Sequence, residues 1–330
     1  MTDKAPWILG MLVVALILGL AAAGYQRYGD ERQVIRDLRR NELKTIAALK
    51  AEEITRWRME RLRRAQLDSS GMFRTLTLSW MGRPDDVGVR AALLARLSLV
   101  RETYGYRNVI IARPDGTLML SADPGITTVH PRALWLVERA AAQREAVLGE
   151  LFRRTTSNEL SLNVAAPILD EQNRPVAVVL IRMDPEALLF PLIRSWPNAS
   201  PSAETMMVLR DGAEALVLSP VRHRDDPPMT IRFPLTDTNV VAVQAALGRF
   251  GGFEGIDYRG VEVLAEIRPV ADSNWVLVAK LDRDEICVEL RDRGWMTLVV
   301  VVLVLQLLAA VGQMVNGARK LARKLPPPAP

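Results

Sequence analysis

Three arginines, Arg113, Arg153 and Arg182, are the residues of this sequence whose chemistry points most directly to a ligand. Each falls near the end of a predicted β-strand in the first half of the chain. The planar guanidinium group can hold a carboxylate through two parallel hydrogen bonds, a geometry that lysine cannot match. The pattern predicts a binding site for a small organic anion. The alternative is that these arginines are solvated or paired with nearby carboxylates.

Residue sets for catalysis or for metal binding do not occur in the sequence. His130 and His223 are its only histidines, and neither has a carboxylate or cysteine at metal-ligand spacing, so we interpret both as surface or turn residues. Cys287 is the only cysteine. The sequence also contains no phosphate-binding glycine loop and no nucleophile elbow. We therefore expect neither an enzyme nor a protein with a metal ion or other cofactor.

Two uncharged, largely apolar stretches, residues 5–26 and 294–318, predict transmembrane helices. The second is about 37 Å long at the helical rise, against a hydrocarbon core of roughly 30 Å. Four cations after it predict a cytoplasmic carboxyl end: Arg319, Lys320, Arg323 and Lys324. The first stretch is either an uncleaved anchor or a signal peptide. In both cases the segment between the stretches is exported.

A long amphipathic helix is predicted from residue 30 to about residue 77. This segment lacks proline and places apolar residues at helical spacing among many charged ones. Its heptad pattern is imperfect, because charged residues fall near the seam positions. The helix either packs along its own domain or forms a seam between two chains, and we favour a homodimer through this helix.

The next residues predict an α+β unit with an antiparallel sheet. Residues 108–113 and 117–122 flank a Pro-Asp-Gly turn and should form a hairpin. A helix at residues 131–147 follows. Three more strands complete the unit, at residues 150–154, 160–169 and 175–183.

The same order of elements is repeated after a linker that contains proline and serine, at residues 195–202. A second hairpin, a helix and three strands are predicted between residues 206 and 281. The two units also end alike, in VVLIRMD and in VLVAKLD. The matching order and the matching ends indicate an internal duplication.

With these motifs, the loop between the two apolar stretches resembles the double Cache sensor domains, tandem PAS-like modules on the outer side of bacterial receptors and sensor kinases. The resemblance covers nearly the whole chain. It rests on ELKTIAALKAEEITRWRMERL, IARPDGTLMLS, WPNASPSAET with the following VRHR, and GGFEGIDYRGVEVLAEIRPVADSNWVLVAKLDRDE. It implies an α+β fold in which a long N-terminal helix and two PAS-like antiparallel-sheet modules lie between two transmembrane helices.

The resemblance also implies segment boundaries and a site. The segments are transmembrane helix 1 (1–28), stalk helix and membrane-distal module (29–194), membrane-proximal module (195–283), juxtamembrane and transmembrane helix 2 (284–318), and a basic cytoplasmic tail (319–330). In such proteins the distal module usually binds the ligand, between the concave sheet face and its covering helix. The candidate ligand-binding residues there are Arg113, Ser121, Trp135, Arg153, Asn163, Arg182 and Asp184.

The amino-acid-binding subclass of these domains carries an Arg-x-Trp-Tyr element in the distal pocket. Here the Arg-x-Trp strings fall at residues 194–196, in the linker, and 293–295, at the predicted membrane boundary. The sequence therefore does not favour an amino-acid ligand. The cytoplasmic output domain that is usual in the family does not follow either, so we expect a truncated chain or a separate cytoplasmic partner.

We therefore expect a sensor in the inner (cytoplasmic) membrane, with its loop in the periplasm or extracellular space. It should bind a small-molecule ligand, an organic anion, in the distal module and pass the signal through transmembrane helix 2. The alternative is a ligand-free, membrane-tethered interaction protein that regulates a separate signalling partner. Nucleic-acid binding is not expected, because the loop has no basic face with stacking aromatic residues.

Overall fold

The computed structural model describes residues 5–154 and 158–286, together with individual positions from 299 to 314. The chain divides into two units, residues 1–42 with 282–330, and residues 43–281. Cys287, most of predicted transmembrane helix 2 and the basic tail lie outside the described residues. In the part of the chain that is described, no helix has both the length and the apolar character that a membrane span needs.

Three helices precede the first sheet, and they are α1 (Ala5–Ser70), α2 (Met72–Gly82) and α3 (Val87–Tyr104). The long helix predicted from the sequence ends at Ser70 instead of near residue 77, because Gly71 adopts a non-helical conformation and separates α1 from α2. The carboxylate of Asp86 accepts a hydrogen bond from a backbone N–H in the first turn of α3. At the other end of α3, Gly105 adopts the left-handed conformation that closes a helix.

The N-terminal module, which we define as residues 43–194, contains a six-stranded antiparallel sheet in the order β2-β1-β6-β5-β3, with β4 paired to β5. One helix, α4 (Pro131–Gln143), follows the β1-β2 hairpin. The strands are β1 (Asn108–Ala112), β2 (Leu118–Ser121), β3 (Val147–Leu148), β4 (Phe152–Arg153), β5 (Leu160–Leu169) and β6 (Pro175–Met183). The predicted hairpin and strands are thus present. The predicted helix ends at Gln143 instead of residue 147, because Arg144 adopts the left-handed conformation, and Val147 begins the additional short strand β3.

The C-terminal module, residues 195–281, has a second six-stranded sheet in the order β10-β11-β12-β7-β8-β9. Two short helices lead to it, α5 (Pro185–Leu188) and α6 (Phe190–Arg194), and α7 (Val241–Ala246) covers it. The strands are β7 (Glu204–Asp211), β8 (Glu214–Val217), β9 (Arg232–Pro234), β10 (Gly251–Ile256), β11 (Glu262–Pro269) and β12 (Val276–Asp282). The sequence did not predict β9, a short edge strand. The fold class is α+β, with a long N-terminal helix and two antiparallel sheets.

The N-terminal sheet buries both of its faces, because successive side chains of a strand point to opposite sides. Val109 and Ile111 of β1 pack into a core shared with helices α1, α2 and α3. Ile110 and Ala112 point the other way and pack with Leu136 and the rest of the buried face of α4. The face under α4 is the one that carries the candidate site.

Candidate functional site

A polar row crosses the sheet face that α4 covers. Arg182 of β6 is the register partner of Asn108 in β1 on one side and of Asn163 in β5 on the other. Register partners on neighbouring strands project to the same face. The next pair on the same face of these strands, Leu180 with Ile110, belongs to the apolar cluster under α4. The three polar side chains therefore lie side by side next to that cluster.

The amide of Asn108 is buried, and it forms hydrogen bonds with Ser121 of β2 and with the backbone that follows β2. Its Nδ2 donates to Ser121 Oγ at 2.9 Å, while its Oδ1 accepts from the backbone N–H groups of Val109 at 2.9 Å and Asp123 at 3.1 Å. The Ser121 hydroxyl donates in turn to the carbonyl oxygen of Asp123, at 2.7 Å. These bonds turn the Asn108 amide toward β2, on the opposite side from Arg182.

A pocket of about 240 Å³ lies between α4 and the strands β4 and β5. Asn163 lines it from the sheet, and Arg132 and Trp135 line it from α4. Phe152 and Glu150 form part of its remaining wall. The pocket thus combines an amide, a guanidinium group, a carboxylate and two aromatic surfaces, in a volume suited to a small molecule.

His130 forms the N-cap of α4 beside this pocket. Its Nδ1 accepts a hydrogen bond from the backbone N–H of Arg132 at 3.2 Å, and Pro131 occupies the first helical turn, where a missing N–H costs little. The imidazole ring centroid is 5.2 Å from the ring centroid of Phe152. His130 is therefore a half-buried capping residue in the turn before α4, and its ring contacts a wall of the pocket.

The electrostatic surroundings of the row are mainly cationic. Burial, followed by the charge of Arg154, lowers the pKa of the Arg182 guanidinium group, although Glu159 and Asp123 act in the opposite direction. Burial and then three arginines, Arg182 among them, lower the pKa of the His130 imidazole. The carboxylate of Glu159 is 3.8 Å from Arg182 Nη2, which is too long for a hydrogen bond. A positive potential in a partly enclosed site favours an anion.

Several residues that the sequence predicts for the site lie near one another. Asn163 and Arg182 are neighbours in the polar row, and Ser121 binds the third member of that row. Trp135 lines the same pocket as Asn163, although 40% of the Trp135 surface is exposed. The structure thus brings an amide, a guanidinium, a hydroxyl and an aromatic ring to one region under α4.

The remaining predicted residues belong neither to the polar row nor to the lining of the pocket. Arg113 is exposed at the turn between β1 and β2. The guanidinium group of Arg153 donates to the carbonyl oxygen of Pro228, in the C-terminal module, at 2.7 Å. Asp184 is the N-cap of α5, and its carboxylate is 2.6 Å from Arg107 Nη2. Arg153 thus has its partner in the C-terminal module, whereas Asp184 pairs with Arg107, whose backbone N–H donates to the carbonyl oxygen of Arg182.

Sequence reasoning missed Asn108, Arg132, Arg154 and Phe152. Asn108 alternates with Ile110 along β1, so the strand pattern could have assigned it to the same face. Its position opposite Arg182, however, depends on the pairing between two strands that are distant in sequence. His130 also had a readable signal, because a polar residue before proline is a common helix start.

The donor set of this region does not resemble a metal site. In residues 5–154 and 158–286, and at the described positions beyond, no group of three or more His, Cys, Asp or Glu side chains is arranged to hold a metal ion. Guanidinium groups and amide N–H groups donate hydrogen bonds and do not coordinate cations. The arrangement suits charge-assisted hydrogen bonding to an organic ligand.

Comparison with known proteins places this geometry in a known fold. No family model matches the sequence, and no curated protein does. The ligand-binding domain of the Pseudomonas fluorescens chemoreceptor CtaA, in complex with L-serine, has a TM-score of 0.53 at 16% identity, covering 76% of this chain and 99% of that chain. The fold is that of a Cache-type sensor domain. The resemblance that the sequence suggested is therefore confirmed at the level of the fold.

Two further structures have this fold. One is the ligand-binding domain of the Pseudomonas aeruginosa amino acid chemoreceptor PctB in complex with L-Arg, with a TM-score of 0.50, 18% identity, and coverage of 76% of this chain and 97% of that chain. The other is the extracellular domain of a protein described as the histidine kinase rpHK1S-Z16. It has a TM-score of 0.53 at 15% identity, covering 75% of this chain and 95% of that chain. At these identities the likeness concerns the fold and does not extend to individual site residues.

Proposed function

We propose that this chain is a membrane-anchored extracytoplasmic sensor that binds a small organic anion at the polar row and the adjoining pocket. The observation that carries the proposal is Arg182, whose side chain is only 15% exposed and lies between two neutral amides in cationic surroundings. Burying a charge costs free energy unless a partner of opposite charge compensates it. The anionic group of a ligand would provide that compensation.

Amino acids are the second ligand class to be tested, because the CtaA and PctB structures hold L-serine and L-Arg. An amino acid presents an ammonium group as well as a carboxylate, so it needs acceptors beside the cationic residues. Glu150 lines the pocket and is one such acceptor. We nevertheless favour an anion without an ammonium group, since the arginines around the row, Arg182, Arg154 and Arg107, outnumber the carboxylates Glu159 and Asp123.

A continuous set of contacts supports signal transfer from this site to the C-terminal module. Glu150 of the pocket accepts a hydrogen bond from Asn274, in the loop between β11 and β12, at 3.0 Å. On the same loop, the carbonyl oxygen of Asp272 accepts a hydrogen bond from Arg58 of α1 at 2.6 Å. A ligand that moves Glu150 would therefore act on a loop that α1 also contacts. We propose that the signal then passes through residues 284–318.

We also propose that the sensor is anchored in the inner membrane by residues 5–26 and 294–318 and that it forms a homodimer through α1. The uncharged composition of the two stretches supports the anchoring. Leu49 and Leu67 support the dimer, because both are exposed and lie 18 residues apart. That spacing is five helical turns, so the two side chains lie on one side of α1.

The test is calorimetry on the full chain, purified in detergent micelles, with propionate, pyruvate, succinate and L-serine as probes. We expect Arg182→Gln to weaken binding of an anion by roughly 30- to 150-fold, which is about 2–3 kcal/mol for one charge-assisted bond in a buried site. Arg113→Gln is the matched control, because Arg113 is exposed at a turn, and its affinity should stay within about twofold of wild type.

Equal affinities of wild type and Arg182→Gln would remove Arg182 from the site. An equal loss in both variants would show that a general change of charge, and not the position under α4, determines binding. If wild type binds none of the probes, the ligand-free regulatory protein becomes the better hypothesis.

A further inference from the structure

The C-terminal module repeats the geometry around Arg182 with different residues. In the N-terminal sheet, the first residue of β1, Asn108, pairs with Arg182 of β6. In the C-terminal sheet, the first residue of β7, Glu204, pairs with Lys280 of β12. The next pairs on the same face are apolar in both sheets and pack under the covering helix: Leu180 with Ile110, and Val278 with Met206. Lys280 is therefore the structural counterpart of Arg182, and Glu204 is the counterpart of Asn108.

The C-terminal module neutralises its own cation. Lys280 Nζ is 3.0 Å from Glu204 Oε2 and 2.8 Å from Asp257 Oδ2, and the lysine side chain has no exposed surface. The hydroxyl of Tyr258 donates to Glu204 Oε2 at 2.8 Å, and its ring centroid is 5.0 Å from Lys280 Nζ. The carboxylates of Glu204 and Asp257 neutralise Lys280, so this cation does not require a ligand as its counter-ion.

The N-terminal module does not do the same for Arg182. Its strand partner Asn108 is a neutral amide, and that amide is already bound to Ser121 and to backbone N–H groups. The carboxylate of Glu159 is nearly 1 Å further away than the partners of Lys280, at 3.8 Å. Among the charged neighbours of Arg182, the cationic Arg154 has a larger effect on the Arg182 pKa than either carboxylate, Glu159 or Asp123. A cation at the same position of the same fold is thus fully paired in one module and only loosely paired in the other.

We infer that the ligand of the N-terminal site is a carboxylate whose charged group binds Arg182 and has the role that the Glu204 carboxylate has at Lys280. Asn108 stands at the place of Glu204, and as a neutral amide it brings no carboxylate to Arg182. The inference rests on the proposed function and narrows its anion to a carboxylate. The planar guanidinium fork matches two carboxylate oxygens. The pocket of about 240 Å³ that begins at Asn163, the strand neighbour of Arg182 on β5, limits the ligand to a small molecule.

The test converts the N-terminal site into the form seen in the C-terminal module. Asn108→Glu places a carboxylate on the strand beside Arg182, so it should compete with the ligand for the guanidinium group. We expect the affinity of the full chain for the best binder among propionate, pyruvate and succinate to fall by roughly 30-fold or more. Gln172→Glu is the matched control, since it adds the same charge at an exposed turn of the same module and should leave the affinity within about twofold.

Asn108→Asp covers the case in which Asn108→Glu does not fold. Aspartate keeps the acceptor oxygen that the N–H groups of Val109 and Asp123 require, and it still brings a negative charge to the row. We expect a smaller loss, about tenfold, because the shorter side chain points toward β2. An unchanged affinity in a folded Asn108→Glu or Asn108→Asp variant would overturn the inference.

The outcomes separate this inference from the proposed function. Methylphosphonate serves as a non-carboxylate anion of similar size. Binding of methylphosphonate without binding of any carboxylate would overturn the inference and leave the anion sensor standing. Carboxylate binding that is equal in wild type and the Asn108 variants would have the same consequence. Absence of all binding to the wild-type protein would overturn both.

Discussion

Replacing Lys280 with methionine should strongly destabilise the C-terminal module. The lysine side chain is completely buried, and its partners Glu204 and Asp257 are 5% and 1% exposed. Methionine has a similar length and no charge, so the substitution removes the cation without opening a large cavity. Glu204 then keeps its hydrogen bond from Tyr258 but loses the cation with which it pairs.

The magnitude follows from the desolvation of the carboxylate left behind. Removing one partner of a buried ion pair costs about 3–5 kcal/mol, because the remaining charge stays away from water without compensation. Asp257 retains Arg259, whose Nε is 2.7 Å from Oδ2, so the cost should arise mainly at Glu204. At about 2–4 °C per kcal/mol for a folded unit of this size, the melting midpoint should fall by roughly 6–20 °C.

The loss should also depend on pH. Burial by itself raises the pKa of Asp257, but the hydrogen bond and the charge of Lys280 outweigh burial, so the pKa in the folded protein lies below the ordinary value of 3.8. A carboxyl group with a lowered folded pKa stabilises the fold above its unfolded pKa, and this stabilisation disappears as the pH falls through the folded pKa. The difference between wild type and Lys280→Met should therefore be largest at neutral pH and shrink below about pH 4.

The assay is thermal melting of the full chain at pH 7 and at pH 3.5 for wild type, Lys280→Met, and the double variant Lys280→Met/Glu204→Gln. The double variant removes both charges and should recover at least about 2 kcal/mol of the loss. Lys44→Met, at an exposed position of α1, is the control and should change the stability by less than about 0.5 kcal/mol. A Lys280→Met midpoint within about 3 °C of wild type, or a double variant no more stable than the single one, would refute this reasoning.

Two further substitutions test packing at other places. Arg58→Ala should cost about 2 kcal/mol in thermal melting, because the guanidinium group lies 4.8 Å from the ring centroid of Trp275 and binds a backbone carbonyl, whereas Arg56→Ala, at an exposed position of the same helix, should cost less than about 0.5 kcal/mol. Equal melting midpoints for Arg58→Ala and Arg56→Ala would show that the contacts of Arg58 with Trp275 and the backbone carbonyl do not stabilise the fold. Gly255→Ala should cost about 1–3 kcal/mol, since a Cβ there would lie 2.4 Å from a backbone carbonyl oxygen, and Gly252→Ala, with its nearest atom at 3.5 Å, is the control in the same strand. A Gly255→Ala protein as stable as Gly252→Ala would show that the strand adjusts at no cost.

Much of the fold could be predicted from local patterns. The Pro-Asp-Gly turn forms the expected hairpin because Gly116 adopts a φ of +84°, which is strained for other residues. Alternating apolar residues identified the long strands, and their order identified the α+β class and the duplicated arrangement. Arg182 and Lys280 even occupy matching places in VVLIRMD and VLVAKLD, which suggested that the two sheets end alike.

Other elements depend on contacts that the sequence does not display. β9 has three residues and is a strand only because it pairs with β8. The prediction that the long helix continues to about residue 77 is also wrong. The helix ends at Ser70, and the residues after Gly71 continue the apolar spacing in a separate helix. A single glycine is tolerated within many helices, so its effect on the chain direction is decided by the packing around it.

What the sequence by itself determined is the set of local elements and the chemistry available to them, whereas the tertiary structure decided which polar residues meet. Arg153 and Arg182 give the same local signal, an arginine near the end of a strand. The first donates to the carbonyl oxygen of Pro228 in the other module, and the second lies between Asn108 and Asn163 under α4. Strand alternation assigns a residue to a face, but the register between distant strands is set by the packing of both faces and by the turns. The difference between the two arginines therefore arises from neighbours that are far away in the sequence.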